Sequence, residues 1–155
     1  MRLSRLLDTH YERGTVMLMG MFDEFSTMKE LPLPVGLPEE RHTQFIREIP
    51  TLGFQTKDFD CVLDRYVLTE DGALLRKSCS WDTREVLSEE YVEFHGRFEV
   101  HTIFFADDAG LQESNGVAVR LLGPDFQGEA YAVSYVLKFT NGRLEAVEQP
   151  LATRL

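Results

Sequence analysis

A chain of 155 residues, 43% of them hydrophobic and 27% charged, has the size and composition of one globular domain with a packed core. Its formal net charge is −10, and Lys and Arg never occur more than two in a row, which argues against direct binding of DNA or RNA. No apolar run reaches the roughly 18 residues needed to span a bilayer, and the N-terminus is too polar for a signal peptide. We therefore expect no membrane association and a cytoplasmic location.

The first residues differ in composition from the rest of the chain. Residues 1–18 are interpreted as an N-terminal extension or an upstream start, or alternatively as a short helix through Leu3, Leu6 and Leu7. Residues 19–155 are expected to form a single α+β domain. Cys61 and Cys79 are expected to be free thiols, because the cytoplasm keeps thiols reduced and the predicted strand register separates the two residues.

A proline-rich segment, LPLPVGLPEE, occupies residues 31–40. It cannot form a central strand, because proline has no N–H to donate to a neighbouring strand. Pro38 suits the first position of a helix, and the two glutamates after it suit a helix N-terminus. The pattern predicts a helix over residues 39–49 that ends at Pro50, with an apolar side made of Phe45, Ile46 and Ile49.

Residues favourable to β-strands dominate from Phe59 onward. Val62–Thr69 and Ala73–Ser78 flank the turn-forming Glu70-Asp71-Gly72 and predict a hairpin. In SWDTREVLSEE, Asp82 is followed three residues later by Glu85, which matches a capping box and predicts a short helix. Tyr91–Phe105 is predicted to be a long strand bent at Gly96, with Phe98, Val100, Thr102 and Phe104 on one face.

The C-terminal third contains the strongest local pattern. Residues 107–116 have the composition of a loop, and Val117–Leu122 that of a strand. Apolar residues then alternate from Tyr131 to Phe139, Asn141-Gly142 favours a type I′ turn, and Arg143–Glu148 returns. We predict an α+β fold, mainly an antiparallel β-sheet of about six or seven strands with one or two short helices.

The candidate functional residues lie in EFHGRFEVHT, residues 93–102. Glu93, His95, Glu99 and His101 share one side of an unbroken strand, and imidazoles with carboxylates can ligate Zn²⁺ or Fe²⁺. Six strand residues span about 20 Å, so both histidines reach one ion only if Gly96 bends the strand sharply. We favour the alternative, a polar, solvent-facing side of the sheet with no metal and no cofactor.

Other signatures of catalysis are absent from the sequence. It contains no Walker, G-x-G-x-x-G, G-x-S-x-G, H-E-x-x-H or C-x-x-C motif. Cys61, beside Asp60 and near Lys57, is either an activated thiol or, as we favour, a small buried residue. Three aromatic side chains either line a pocket or, as we favour, pack in the core: Trp81, Tyr91 and Phe94.

The segment GFQTKDFDCVLD, residues 53–64, is dense in polar side chains. We interpret it as a structural motif, because glycine permits an unusual backbone angle and Thr or Asp side chains can bind local backbone to shape a turn. An exposed pair between its lysine and a nearby aspartate would add little stability. The motif residues are Gly53, Gln55, Thr56, Lys57 and Asp58.

Several segments together resemble a family of small, uncharacterised phage and prophage proteins. Met19-Gly-Met-Phe-Asp23, LPLP, GFQTKDFDCVLDRYVLTEDGALL, HGRFEVHT and FTNGRLEAV follow one another over most of residues 19–148. Members of that family similarly begin MGMFD and carry an FQTKDL-like segment before a TEDG hairpin, and here that segment reads Gln55-Thr-Lys-Asp-Phe59. The family has no established activity, so the resemblance implies no catalytic residues.

The leading prediction is a non-enzymatic phage or prophage accessory protein that binds another protein, with a host or defence factor as the candidate partner. One alternative is a small-ligand-binding protein or metal-dependent enzyme that uses the region of His95 and His101. A second alternative is an acidic mimic of nucleic acid, which requires rows of carboxylates on one face. The sequence indicates no oligomeric state.

Overall fold

A computed structural model of the protein describes residues 22–107, 111–114, 117–120 and 126–155. The helix α1 (His42–Glu48) lies between two 3-10 turns, Glu39–Arg41 and Ile49–Thr51. No helix in these described ranges is both long and apolar enough to cross a membrane. The described residues form ten strands: β1 (Asp23–Thr27), β2 (Phe54–Thr56), β3 (Arg65–Leu68), β4 (Leu74–Cys79), β5 (Val86–Tyr91), β6 (Gly96–Phe105), β7 (Leu111–Ser114), β8 (Val117–Arg120), β9 (Ala130–Thr140) and β10 (Arg143–Arg154).

Eight of these strands form one sheet in the order β10-β9-β6-β2-β1-β3-β4-β5, and β7 and β8 pair separately. Every neighbouring pair in the large sheet is antiparallel except β1 and β3. The predicted α+β class is confirmed, although the sheet has more strands than expected. The two short strands β1 and β2 had no alternating pattern long enough to reveal them, and the predicted extension over residues 1–18 lies outside the described residues.

The predicted helix over residues 39–49 is confirmed in position, with α-helical geometry confined to its middle. Phe45 and Ile49 are buried, and the Phe45 ring meets Phe104 edge-on at 5.2 Å between centroids. Ile46 was predicted to share this apolar side and instead has 49% of its surface exposed. A helix this short packs against the sheet through a narrow stripe, and Ile46 falls outside that stripe.

The short helix predicted from Asp82 and Glu85 does not form. The Asp82 carboxylate accepts hydrogen bonds from Ser80 Oγ at 2.7 Å and Thr83 N at 2.9 Å, which closes a tight turn. Arg84 has a φ of 61°, a left-handed conformation that cannot continue a right-handed helix. The residues that follow pair with β4 as strand β5. The capping pattern therefore correctly identified Asp82 as a residue that binds backbone, but it does so in a hairpin turn and not at the start of a helix.

The loop predicted over residues 107–116 is wrong for Leu111–Ser114, which forms β7 and pairs with β8. The predicted strand Val117–Leu122 is confirmed as far as Arg120, and its last two residues lie outside the described ranges. The predicted C-terminal hairpin is confirmed, because Asn141 and Gly142 have φ of 49° and 78°, as a type I′ turn requires.

The sheet coils so that its two halves meet at one end. The turn between β3 and β4 reaches the turn between β9 and β10, where Leu144 N donates to Gly72 O at 2.8 Å. Gly142 N donates to Phe94 O at 2.8 Å, and a Cβ added to Gly142 would lie 2.7 Å from Val92 O. Only glycine fits this contact, which joins the β9–β10 turn to the segment between β5 and β6.

The inner face of the coiled sheet is filled by aromatic rings. Alternate residues of β9 are buried, as predicted, and so are Phe98, Val100 and Phe104 of β6. Phe98 contacts both Phe25 and Phe139, with centroid distances of 5.8 and 5.6 Å, and so joins β1 to β9 across the core. Because the rings lie within 4.5–7 Å of each other, they stabilise the fold beyond the burial of their area alone.

A tethering ion pair holds the helical segment on the sheet. The Arg41 guanidinium donates to Glu129 through two nitrogens at 2.8 and 3.1 Å, and the Tyr131 hydroxyl donates to the same carboxylate at 2.5 Å. These bonds to Arg41 and Tyr131 lower the pKa of Glu129 to about 2. The carboxylate therefore favours folding only while it is ionised.

We predict that the Arg41–Glu129 ion pair makes the free energy of unfolding depend on pH. Because the pKa of Glu129 lies below its value in the unfolded chain, its contribution is complete above about pH 4.5 and declines as the pH falls toward 2. Glu129→Gln is expected to be less stable than wild type at pH 7 and closer to wild type at pH 3, as measured by urea unfolding.

The matched control is Glu30→Gln, which removes the charge of an exposed carboxylate outside the strands. The stability of Glu30→Gln relative to wild type at the same two pH values measures the effect of losing a surface charge that makes no contact between helix and sheet. An equal stability gap between Glu129→Gln and wild type at pH 7 and pH 3 would contradict the assignment.

Candidate functional site

The predicted structural motif at residues 53–64 lies in the middle of the sheet. Its strand β2 is short and fully buried, and it pairs with β1 on one side and, through Gln55 opposite His101, with β6 on the other. Gly53 O accepts a 2.8 Å hydrogen bond from Thr102 Oγ1. Gly53 does not have a positive φ, and an added Cβ would meet nothing within 4 Å, so the expected need for glycine is wrong.

The polar residues after β2 bind backbone. Asp58 N donates to Thr56 Oγ1 at 3.3 Å, and the Asp58 carboxylate accepts from Glu99 N at 2.7 Å. The first bond is the local turn contact that the sequence predicted, whereas the second reaches across to β6. Lys57 is exposed. These contacts assign Thr56 and Asp58 to the fold and leave their side chains little freedom to act on a substrate.

The most enclosed acidic group of the described residues is Asp23, at the start of β1. Its side chain is 0% exposed. One carboxylate oxygen accepts from Cys61 N at 2.8 Å, and the other accepts from Val62 N at 3.1 Å and Asp64 N at 2.9 Å. Asp23 thereby binds three N–H groups of one loop, the loop defined here as residues 61–64.

The 61–64 loop needs this partner because its backbone is strained. Cys61 and Leu63 have φ of 56° and 63°, which residues with a Cβ adopt at a cost. Leu63 N also donates to Phe22 O at 3.0 Å, and Glu24 N donates to Asp64 O at 2.9 Å. As a consequence β3 begins at Arg65, whereas the first strand of the hairpin was predicted to begin three residues earlier, at Val62.

Burial raises the pKa of Asp23, the three N–H donors oppose that rise, and the nearby Asp64 charge adds to it. Burial also raises the pKa of Tyr66 to about 12, with the Asp23 charge acting in the same direction. A buried acid with a shifted pKa is a usual sign of catalysis. Here each oxygen already accepts backbone hydrogen bonds in a closed environment, which favours a structural role.

Asp64 extends this network to the next hairpin. Its carboxylate accepts from Arg76 Nε at 3.1 Å and from Cys79 N at 3.3 Å. Arg76 also lies 3.7 Å from Glu90 on β5. The sequence did not reveal roles for Asp23, Asp64 or Arg76. Asp23 belongs to the MGMFD segment and binds the end of the GFQTKDFDCVLD segment, about 40 residues further along the chain.

Cys61 is not an activated thiol in this arrangement. Burial is the main factor that raises its pKa, and the Asp23 charge raises it further, which outweighs the opposing charge of Lys57. Both Cys61 and Cys79 are free thiols, as predicted. Cys61 was interpreted as a small buried residue, and it is instead only partly buried, in the loop that precedes β3.

The four residues of the candidate polar cluster do not share one strand face. Glu93 and His95 precede β6, which begins at Gly96, and both are exposed. Glu99 and His101 lie on the outer side of β6, with 4.0 Å between Glu99 Oε1 and His101 Nδ1. Within the described residues, no three His, Cys, Asp or Glu side chains are placed to hold a metal ion.

A cleft of about 410 Å³ opens where the two hairpin turns meet. It gathers only Glu93 from the polar cluster. Arg143 Nη1 spans its rim and donates to Asp71 Oδ2 at 3.1 Å. The lining offers carboxylates and a guanidinium but no serine, cysteine, histidine or lysine: Asp71, Ala73, Tyr91, Val92, Glu93, Asn141, Gly142 and Arg143. Such a set can bind a polar group, but it contains no pair of nucleophile and base.

The β4–β5 hairpin exposes several large apolar side chains to solvent. All six residues of β5 are exposed, and Leu87 and Tyr91 expose 68% and 69% of their surface. Trp81, in the preceding turn, is 50% exposed. The expectation that Trp81 and Tyr91 pack in the core is therefore wrong, whereas Phe94 does pack there against Phe98 at 5.5 Å. We call Trp81 together with Val86–Tyr91 the edge surface.

The edge surface is fixed to the sheet by charged contacts. Arg84 Nη2 donates to Glu24 Oε2 at 2.8 Å, which ties the β4–β5 turn to β1. Arg65 Nε donates to the same oxygen at 3.3 Å. The side chain of Arg84 thus reaches back over β3 and β4 from a residue with a left-handed backbone. This contact holds the hairpin turn in place although its side chains face solvent.

We predict that Asp23 is required for the stability of the fold. Asp23→Ala removes the acceptor for three N–H groups in a closed environment, so the free energy of unfolding should fall by about 2–4 kcal/mol. Urea unfolding measures this change, and hydrogen exchange should show lost protection at residues 61–64. Asp60→Ala, on an exposed carboxylate of the same segment, is the control. Equal effects of the two substitutions would refute the role given to Asp23.

We predict that His95 and His101 do not hold a shared metal ion. Elemental analysis of wild type, His95→Ala and His101→Ala, each exposed to Zn²⁺ and then dialysed, should give the same metal content. The reason is that His101 lies within β6 whereas His95 precedes it, and no three His, Cys, Asp or Glu side chains of the described residues are placed to hold an ion. About one equivalent of zinc in wild type, lost in both variants, is the contrary outcome.

Comparison of the chain with protein-family models, with curated proteins and with solved structures finds no match in any of the three. The contacts and burial of this chain alone therefore support the structural role of Asp23 and identify the exposed edge surface.

Proposed function

We propose that the chain is a non-enzymatic protein-binding module that uses the edge surface to hold its partner. The observation that carries the proposal is the state of β5, whose six side chains are all exposed and whose outer edge pairs with no strand in the described part of the chain. Unpaired strand edges template pairing with another chain, and proteins usually shield them.

The side chains of the edge surface support this proposal. Trp81, Leu87 and Tyr91 expose apolar surface on one hairpin, and tryptophan and tyrosine are enriched where proteins bind each other. Scattered exposed apolar residues are ordinary, but several on one edge strand mark an interaction site. The contact of Arg84 with Glu24 holds the hairpin turn before binding, which lowers the ordering cost of association.

The use of polar groups elsewhere also supports a role without catalysis. Asp23, Asp58 and Asp64 bind backbone N–H groups, and Glu129 binds Arg41. Two of the three aspartates in the GFQTKDFDCVLD segment, Asp58 and Asp64, are thus engaged by backbone N–H groups. The hypothesis of a metal-dependent enzyme that uses His95 and His101 has less support, because those residues lie apart.

The phage or prophage origin in this proposal rests on the sequence resemblance. On that basis the partner is a bacterial host or defence factor, and the site of action is the cytoplasm of the host cell. Mimicry of nucleic acid has less support, because several surface carboxylates pair with cations instead of forming rows. Glu148 lies 2.7 Å from Arg97, and Glu145 lies 2.6 Å from Lys138.

The proposal predicts that capture of a partner depends on the edge surface. Immobilised wild-type protein should retain a bacterial protein from lysate, and Leu87→Ser with Tyr91→Ser should reduce its retention by about tenfold or more, because buried aromatic and aliphatic anchors dominate interfaces. Mass spectrometry identifies the captured protein, and calorimetry with the purified partner measures the affinity.

The matched control is Met28→Ser with Val35→Ser, which also removes two exposed apolar side chains but leaves β5 intact. Circular dichroism and thermal unfolding check that both double variants fold. Capture that is equal for the two double variants, or no specific capture by wild type, counts against the proposed function.

A further inference from the structure

The outer edge of β5 has a defined hydrogen-bonding pattern. Val92 N donates to Leu74 O at 2.9 Å, and Glu90 lies opposite Arg76 in the antiparallel pair of β4 and β5. Backbone groups of successive strand residues alternate in direction, so those of Glu89 and Tyr91 face away from β4. These two residues offer N–H and C=O groups to an added strand.

The charges on β5 indicate which strand would fit. Glu89 and Glu90 lie on opposite faces of the strand. Each has a cation on the β4 side, Lys77 at 3.8 Å and Arg76 at 3.7 Å, and their side chains remain 53% and 64% exposed. The other side of each carboxylate is open to a cation placed directly opposite on a further strand. Opposite charges in that position stabilise a pair of strands.

A second copy of the chain fits this edge poorly. In a two-fold antiparallel pair, residues that lie opposite share a face of the sheet. The register that pairs Leu87 with Tyr91 also places the two Glu89 carboxylates directly opposite, and like charges in that position are destabilising. The register centred one residue earlier places Leu87 opposite Glu89 and Val86 opposite Glu90. The first register therefore places a carboxylate opposite a like charge, and the second places carboxylates opposite apolar side chains. Both are unfavourable.

We propose that β5 binds an extended basic segment of a partner protein as an added antiparallel strand. Opposite Tyr91, Glu90, Glu89, Ser88 and Leu87 in turn, the segment carries an apolar residue, two basic residues, a small polar residue and an apolar residue. The backbone supplies the pairing, and the two basic residues select the segment. This inference rests on the proposed function, because it names the kind of partner that the edge surface holds.

The probe is a capped seven-residue peptide, Thr-Val-Lys-Lys-Thr-Val-Thr, titrated into the full chain. Fluorescence of Trp81, the single tryptophan, reports binding near the hairpin, and amide chemical shifts should move at Glu89 and Tyr91. A peptide with both lysines replaced by glutamate should bind at least about fivefold more weakly. The difference should shrink in about 0.5 M salt.

Two N-methylated peptides of the same composition test strand addition itself. The second lysine lies opposite Glu89 and directs its N–H toward β5, so methylation there should weaken binding by about tenfold or more. The first lysine directs its N–H away from β5, and methylation there should change the affinity by less than about twofold. Equal affinities of the two methylated peptides, or no shift of the β5 amides at millimolar peptide, would overturn the proposal.

The outcomes separate this inference from the proposed function. If the peptides fail but capture from lysate still depends on Leu87 and Tyr91, the edge surface binds a partner without strand addition. If the peptides bind as expected but wild type captures no partner, the edge is competent and the proposed function fails. A dimer seen by light scattering and abolished by Leu87→Ser with Tyr91→Ser would replace the basic segment with a second copy.

Discussion

The carboxylate of Asp23 holds the 61–64 loop in a backbone conformation that two residues with a Cβ otherwise avoid. It does so with both oxygens, which accept three N–H groups from that loop. The loop in turn places β3 parallel to β1 and positions Asp64 to bind Arg76 and Cys79 on β4. The position of the β4–β5 hairpin, and therefore of the edge surface, depends on this chain of contacts. The buried acid has a structural role here, and the backbone donors that it satisfies offset part of its cost of burial.

The coiling of the sheet gives its two edges different environments. At β10, Val35 forms a bridge with Leu151, and Arg143 forms one with Ala73 across the closed end, so other parts of the chain shield this strand. β5 lies at the opposite edge, and its outer side is unpaired within the described residues. The acidic Glu89 and Glu90 discourage self-association at that edge, since the two symmetric registers place these carboxylates opposite a like charge or an apolar side chain. Under the proposal of strand addition, the same two carboxylates favour a basic strand as the occupant of this edge.

The sequence predicted the elements whose patterns are local. Alternation from Tyr131 to Phe139, with Asn141-Gly142 after it, specified the C-terminal hairpin because a type I′ turn and a half-buried strand each need particular residues. β1, β2 and β5 escaped prediction for physical reasons. The first two are short and buried by distant partners, and β5 has no buried face to produce an alternating pattern. The role of Asp23 was also inaccessible, because its partners lie about 40 residues away and a carboxylate in sequence does not reveal which N–H groups it meets. Glu93, His95, Glu99 and His101 were expected on one side of an unbroken strand, but only Glu99 and His101 lie on β6, because the strand begins at Gly96.

Hydrogen exchange of the chain, alone and in the presence of whichever protein the capture experiment identifies, tests most directly where the chain binds. Amide exchange reports opening and protection residue by residue, so it locates the contact without assuming the type of partner. The account predicts new protection at the amides of Glu89 and Tyr91, with little change in the 61–64 loop, which Asp23 already protects. Protection gained instead at residues 93–101 or around Lys57, with β5 unchanged, would contradict it and return the functional site to the polar segments.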